Sequence, residues 1–463
     1  MDAFQREFFP SVLKHDGRKQ SNYCKYDNQG VQLFTSSLYL AGLTSTLFAS
    51  YTTRLLGRRL TMITAGLVFI IGVVFNGAAQ NLAMLIAGRL LLGCGVGFAN
   101  HAVPLFLSEI APTRIRGGLN ILIRPWGWRL SLSLAGIPGA LLTVGALLVV
   151  DTPSSLIERG HLEEGKAALK KIRGTNNVEP EFKAIVEASR ISRQVKHPFR
   201  NLLRRRNRPQ LIVAVLLQIF QQLTGMNGMM FYAPVLFTTL GFRTDAALYS
   251  VVILGAVNAL STLVSVYAVD RAGRRMLLLE GGVYMLLSHV AVAVVFRAKV
   301  TDDADSIDRA WAVMVVAMVG VFVSAFAWSW GPLGWLMPSE MFPLEARAVG
   351  QSVAVSANLL LTLVMAQVFL SMLCRLKYTV FVLFAVWNAV MSLFVLLFLP
   401  ETKKVPIEEM AERVWRHHWF WKRFMNDDGN NNLTTIRLNG YQPSSNVFLS
   451  AEISTSHQPP TSQ

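Results

Sequence analysis

Four side-chain amides, Gln218, Gln221, Gln222 and Asn227, fall within ten residues inside an apolar run from Leu211 to Leu240. A run of that length can cross a bilayer, where no water is present to satisfy an amide. Amides so placed either bond neighbouring helices together or line a cavity that takes a polar ligand. Gly225, Gly228 and Pro234 interrupt the same stretch and let a helix bend beside a cavity. A lone glutamine reads as a bond between helices, whereas four amides beside helix breakers favour a polar-ligand site. Asn258, Asn358 and Thr362 add polar groups to other apolar runs, with Thr362 one helical turn beyond Asn358 on the same face. Trp335 follows Gly331-Pro332-Leu333-Gly334. It fits either an interfacial anchor or the wall of a cavity at a broken helix, and the glycines favour the cavity. Arg89 lies about two turns into an apolar run, where a cation needs a carboxylate, yet no Asp or Glu falls within the first four runs. Without such a partner, the side chain is expected to snorkel to water.

The elements that position these residues must be membrane helices. The chain has 463 residues, 52% of them hydrophobic and only 16% charged, which is too apolar for a soluble domain of this size. The net charge of +16 is gathered in short loops between apolar runs. That arrangement is the orientation signal of a polytopic membrane protein, so lipid headgroups rather than nucleic acid are the expected counter-charge. The first 30 residues hold no apolar core, so a cleavable signal peptide is not expected and the first span directs insertion. The three cysteines make no metal or redox pattern by spacing, no cofactor is expected, and no nucleophile and base constellation suggests an enzyme. Gly93, Gly95 and Gly97 lie inside an apolar run and read as helix-packing positions rather than a dinucleotide loop.

Ten spans are expected, at 33–53, 61–80, 83–107, 129–150, 211–240, 247–268, 276–297, 310–337, 347–371 and 378–399. Residues 151–210 carry fourteen Lys and Arg and read as a cytoplasmic linker of short helices between an N-terminal bundle (33–150) and a C-terminal six-helix bundle (211–400). Residues 401–424 are basic and aromatic and are expected at the inner membrane surface. The Asn-, Ser- and Thr-rich tail, 425–463, is expected to be disordered.

Motifs recur between the halves. Gly57-Arg58-Arg59 is echoed by Gly273-Arg274-Arg275, Ser108-Glu109 by Ser339-Glu340, and Asp151-Thr152-Pro153 loosely by Pro400-Glu401-Thr402. Two related halves of membrane helices are a transporter signature. Glu340 and Glu401 are 61 residues apart, while Glu109 and Asp151 are only 42 apart, a deficit of about one helix. Parity points the same way: three expected spans separate the basic loops at 54–59 and 151–210, and an odd number cannot return to one side. The reading is a twelve-helix design lacking its first and fifth helices, with the internal junction between Leu119 and Trp126.

Gly88-Arg89-Leu90-Leu91-Leu92-Gly93, Pro104 to Gly117, Trp126-Gly127-Trp128-Arg129, Gln221 to Asn227, Trp328 to Glu340 and Pro400-Glu401-Thr402-Lys403 together carry a resemblance. They resemble the plant monosaccharide:proton symporters, the sugar transport protein family of the major facilitator superfamily, over nearly the whole chain through Phe424. The resemblance implies an all-α polytopic membrane fold of two six-helix bundles, alternating access, and hexose uptake driven by protons at the plasma membrane. A hexose needs amides for its hydroxyls and an aromatic face for its ring. By resemblance, Gln221, Gln222, Asn227, Asn258 and Asn358 supply the amides, Thr362 shares their lining, and Trp335 supplies the platform.

The resemblance further implies that Arg89 answers an aspartate on the first helix, whose protonation couples proton to sugar. It implies that Arg58, Arg59, Glu109, Glu158, Arg159, Arg274, Arg275, Glu340, Arg347 and Glu401 pair across the halves to hold an inner gate. As exposed pairs, these would be worth about 0–1 kcal/mol each. It also implies that Cys24 pairs with Cys374, tying an extracellular lid over residues 1–32 to the C-terminal half. The chain departs from the family in the two missing helices, so no uptake above background is expected of it. The competing reading is a truncated, non-transporting membrane protein that binds sugar or modulates a full-length transporter.

Overall fold

The computed structural model describes residues 29–110, 140, 143–147, 151–194, 198–231, 244–299, 308–403, 405 and 410–425. The described residues are helices and their connections. The N-terminal half holds α1 (Gln29–Leu55), α2 (Arg58–Gly77) and α3 (Leu82–Ile110). The linker holds α4 (Pro153–Arg159), α5 (Leu162–Arg173), α6 (Glu179–Gln194) and α7 (Pro198–Leu202). The C-terminal half holds α8 (Arg208–Leu223), α9 (Met226–Phe231), α10 (Thr244–Ala272), α11 (Arg274–Lys299), α12 (Arg309–Trp328), α13 (Trp330–Met341), α14 (Leu344–Leu376) and α15 (Thr379–Phe398). A short helix, α16 (Lys422–Met425), follows.

Among the described residues, eight helical stretches are long and apolar enough to cross a membrane: α2, α3 and six in the C-terminal half between Arg205 and Phe398. The ten expected spans differ from these for two reasons. Most of 129–150 lies outside the described residues. The first expected span corresponds to α1, whose hydroxyls make it more polar; Ser45, Thr46 and Thr53 return their protons to carbonyls one turn back. At 27 residues, α1 is about 40 Å long.

Two expected single spans are broken. The run 211–240 divides at Gly225, whose φ of +81° is left-handed, so α8 stops at Leu223 and α9 restarts at Met226. The run 310–337 breaks at Ser329 (φ −125°, ψ −93°), between α12 and α13 and two residues before the Gly-Pro pair. Both breaks face the amide cluster.

Glycine sets the packing of the N-terminal half. A methyl on Gly93 would fall 2.1 Å from the Leu38 carbonyl oxygen, and one on Gly97 would fall 2.4 Å from that of Gly42. α3 therefore lies against α1 at backbone contact, and Gly95 serves the same purpose against α2 at Ala65 and Phe69.

The halves meet where α1 and α3 pack against α14 and α13. Leu38, Tyr39 and Leu92 bury themselves against Val355, Leu359 and Ala366. Ser352 Oγ donates to the Thr46 carbonyl at 3.1 Å, Gln367 Nε2 to Ser36 Oγ at 2.5 Å, and His101 Nε2 bonds the Ala348 carbonyl at 2.8 Å.

Candidate functional site

Gln218, Gln221 and Gln222 follow the 3.6-residue period of α8, so all three face inward and are buried. Across from them, Pro338 interrupts α13 and has no N–H for the Gly334 carbonyl one turn back. Gln218 Nε2 donates to that carbonyl. Gln221 Nε2 donates to the carbonyls of Trp330 and Gly331 at 2.9 and 2.8 Å, beside the α12–α13 break. Gly334 must lack a side chain here, because a methyl would lie 2.7 Å from Gln221 Nε2.

From α14, Asn358 Nδ2 donates to Gln218 Oε1 and Gln221 Oε1, both at 2.7 Å. These three residues therefore form a closed framework joining α8, α13 and α14. The side-chain nitrogen of each donates to protein.

The next pair is different. Asn227 Nδ2 donates to Gln222 Oε1 at 2.5 Å and to Thr362 Oγ1 at 3.5 Å, and Thr362 returns its own proton to the Asn358 carbonyl at 2.9 Å. Gln222 Nε2 and Asn227 Oδ1 make no protein hydrogen bond among the described residues, and Asn227 is half-buried. One donor and one acceptor thus stand side by side at the open edge of a buried polar cluster, the pairing a vicinal diol needs. Behind them, Phe369 and Phe384 stack 6.3 Å apart at 5° and fill the space that Gly228 and Gly225 leave free.

Trp335 stands half-buried in the apolar seam with Leu38, Tyr39, Leu92 and Leu359. A place at the membrane surface is thereby replaced by one between the halves. Asn258 is half-buried on α10; its carbonyl accepts from Thr262 at 2.8 Å, and its side chain is not bonded to the framework among the described residues. Gln218 was one amide among four in the sequence, with no role of its own, but it is a corner of the framework. The signal was Pro338, four residues after Gly334.

Arg89 is held partly buried on α3, with Tyr39 of α1 as its ionisable neighbour. The structure thus shows it in the α1–α3 interface rather than extended into water.

The charge sets at the linker end differ from expectation in burial. Arg58 Nη1 bonds Glu158 at 2.7 Å, and Arg159 pairs with Asp151 while also donating to the Leu56 carbonyl at 3.1 Å. Arg59 donates to the carbonyls of Ala146 and Leu147 at 3.0 and 2.7 Å. In the other half, Arg274 Nη2 reaches Glu340 at 3.1 Å and Asp270 at 3.0 Å, with Arg274 1% and Glu340 0% exposed. Glu401 accepts from the backbone N–H groups of Arg274 and Arg275 at 3.1 and 3.0 Å, at the positive end of α11. Arg275 Nη2 donates to the Leu396 carbonyl at 2.5 Å.

The pairs named here join Arg58 to the linker and Arg274 to acids of its own half, and several are buried rather than exposed. The physical reason is the glycine before each Arg-Arg. Gly57 and Gly273, at φ +87° and +95°, have no Cβ, and Asp151 or Glu401 occupies that space. Arg347 Nε donates to the Phe342 carbonyl at 3.4 Å. The side chain of Glu109 lies outside the described residues, as does Cys24. Cys374 is disulfide-bonded and Cys94 is free.

The same contacts decide topology. The 54–59 loop touches Ala146, Asp151 and Glu158, so both basic loops lie at one end. α3 ends there as well, since it packs on α4 of the linker. The parity conflict expected from the sequence therefore falls on residues 111–139, outside those described.

Two sets of helices that meet along α1 and α14, with a polar cradle at paired helix breaks, make up the major facilitator fold. The fold is shared with the proton:xylose symporter XylE bound to 6-bromo-6-deoxy-D-glucose, at a TM-score of 0.71 and 23% identity over 88% of this chain and 92% of that one. A partially occluded, inward-open XylE from E. coli matches at 0.65.

In sequence, the family model for sugar (and other) transporters matches residues 2–124 and 118–414. Sugar transport protein MST4 of Oryza sativa subsp. japonica is 73% identical over 450 residues, covering 92% of this chain and 87% of the relative. Sugar transport protein 13 of Arabidopsis thaliana is 62% identical over 477 residues, covering 96% and 91%. The chain belongs to the sugar transporter family, is an integral membrane protein, and is not an enzyme.

Proposed function

We propose that the site recognises a hexose and that the family design around it is a monosaccharide:proton symporter working by alternating access at the plasma membrane. The observation that carries this reading is the unspent donor and acceptor of Gln222 and Asn227, held against a framework of Gln218, Gln221 and Asn358 that ligand binding need not rearrange. A preorganised cradle of this kind binds hydroxyls without ordering costs at the moment of binding. Thr362 extends the polar edge, and Trp335 brings an aromatic face from the seam. Arg89 is the residue through which a proton would act on the seam. Cys24 is proposed as the partner of Cys374, because the chain holds three cysteines and Cys94 is free.

A second reading, a sugar-binding protein that does not transport, is favoured by one observation. The family match is divided into two stretches that overlap at residues 118–124, the place where the internal deficit of one helix falls. Two measurements separate the readings: glucose uptake at acid external pH in yeast lacking hexose transporters, and glucose-dependent thermal stabilisation of the purified chain. Stabilisation without uptake is the expected result and supports the second reading for this chain. Uptake above the empty vector would establish transport. Neither stabilisation nor uptake, or stabilisation that persists unchanged in Gln222→Ala, would overturn the sugar site.

A further inference from the structure

We propose that residues 198–208 and 413–425 form one docking surface for anionic phospholipid headgroups. The two stretches carry nine Lys and Arg and no Asp or Glu. More than two hundred residues separate them, yet Arg205 Nη2 donates to the Arg423 carbonyl at 3.0 Å, and α16 packs on the turn at 205–207. Arg204, Arg206, Arg208, Lys422 and Arg423 are all exposed there.

The depth of this surface is fixed by the helices it caps. Arg208 opens α8, and the last carbonyls of α15 would be left without donors at the membrane boundary. Trp419 Nε1 donates to the Leu397 carbonyl at 2.9 Å and Trp421 Nε1 to the Phe398 carbonyl at 2.7 Å. The cations beside these indoles therefore sit at headgroup level. Phe420 and Trp421 pack edge to face on Phe398, and Trp415 and Phe424 pack on Trp421, so the rings flank Lys422 and Arg423.

Apolar groups decide the partner. Leu203 is 61% exposed, Trp419 55% and Phe199 50%, interleaved with the cations. A free anion or an acidic soluble protein would make no use of three exposed apolar side chains at the end of a membrane span. A lipid offers an anionic headgroup and acyl carbons together.

The purified full chain in detergent tests this with three probes: dioctanoyl phosphatidylserine, dioctanoyl phosphatidylcholine and inorganic phosphate. Thermal stabilisation by phosphatidylserine alone is expected, and it should weaken as salt shortens the reach of surface charge. Replacing Arg204 and Arg206 by Gln should lower phosphatidylserine affinity about fivefold or more. Replacing Lys171 and Arg190, exposed cations elsewhere on the linker, should leave it unchanged. Equal stabilisation by phosphatidylcholine or by phosphate, or a salt-independent effect, overturns the proposal. So does an equal loss in the Lys171 and Arg190 variant.

Discussion

Asn358→Asp is nearly isosteric and reverses the hydrogen-bonding sense at the centre of the framework. In the native protein the two N–H groups of Asn358 serve Gln218 Oε1 and Gln221 Oε1, each at 2.7 Å. A carboxylate would set acceptor against acceptor at both. Neither glutamine can answer by flipping, because its own NH2 is committed to the carbonyl of Gly334, or of Trp330 and Gly331. Leaving one buried acceptor unpaired costs about 1–3 kcal/mol, so two cost roughly 2–6 kcal/mol before repulsion is counted. A protonated aspartic acid regains only one donor and halves that cost.

For a unit the size of the six-helix C-terminal half, about 2–4 °C of melting temperature accompanies each kcal/mol. A loss of at least several degrees is therefore expected, larger at pH 8 than at pH 5, where the carboxyl is more readily protonated. The assay is thermal unfolding of the purified chain at both pH values, with Asn358→Ala as a comparison in which water can enter the vacated space. Melting of Asn358→Asp within a degree of wild type at pH 8 would refute the framework argument.

Three further outcomes follow from the same contacts. Arg274→Met strips Glu340 of its buried partner and should destabilise the chain by about 3–5 kcal/mol, while adding Glu340→Met should restore most of the loss; recovery is read as detergent-resistant monodisperse protein. His418 accepts at Nδ1 from the N–H groups of Phe420 and Trp421, and burial, aided by the charge of Arg275, lowers its pKa below the ordinary histidine value. A lowered folded-state value means that the contribution of His418 is full above about pH 6.5 and is lost as pH falls through the lower value; proteolysis near Trp421 should rise on acidification, and His418→Asn should abolish that dependence. Thiol alkylation of the unreduced, denatured chain should modify Cys94 alone, and prior reduction should expose all three cysteines; three labels without reduction would contradict the Cys24–Cys374 pairing.

The amides, and the Gly-Arg-Arg that recurs between the halves, were legible in the sequence, because hydrocarbon tolerates polar or charged residues only where they have partners. The partners themselves were not legible. Sequence alone favoured a ligand site over a bond among helices for Gln218 and Gln221 alike. Tertiary structure divides the amides: Gln218, Gln221 and Asn358 close on one another and on carbonyls freed at Pro338 and Ser329, while Gln222 and Asn227 keep a donor and an acceptor unspent. The arginines show the same division. Charge pattern placed Arg58, Arg274 and Glu340 at helix ends, and burial depends on neighbouring helices that no linear pattern specifies.

Sequence by itself therefore determined that this is a two-half membrane protein of the sugar transporter family with polar groups in its C-terminal core. Apolar length and charge position are properties of each segment alone. Only the folded chain decided which amides bond one another and the freed carbonyls, and which acids stand against each Arg-Arg. Those outcomes depend on distances between segments far apart in the chain, 66 residues for Arg274 and Glu340 and 140 for Gln218 and Asn358, set by where backbone glycines allow close approach.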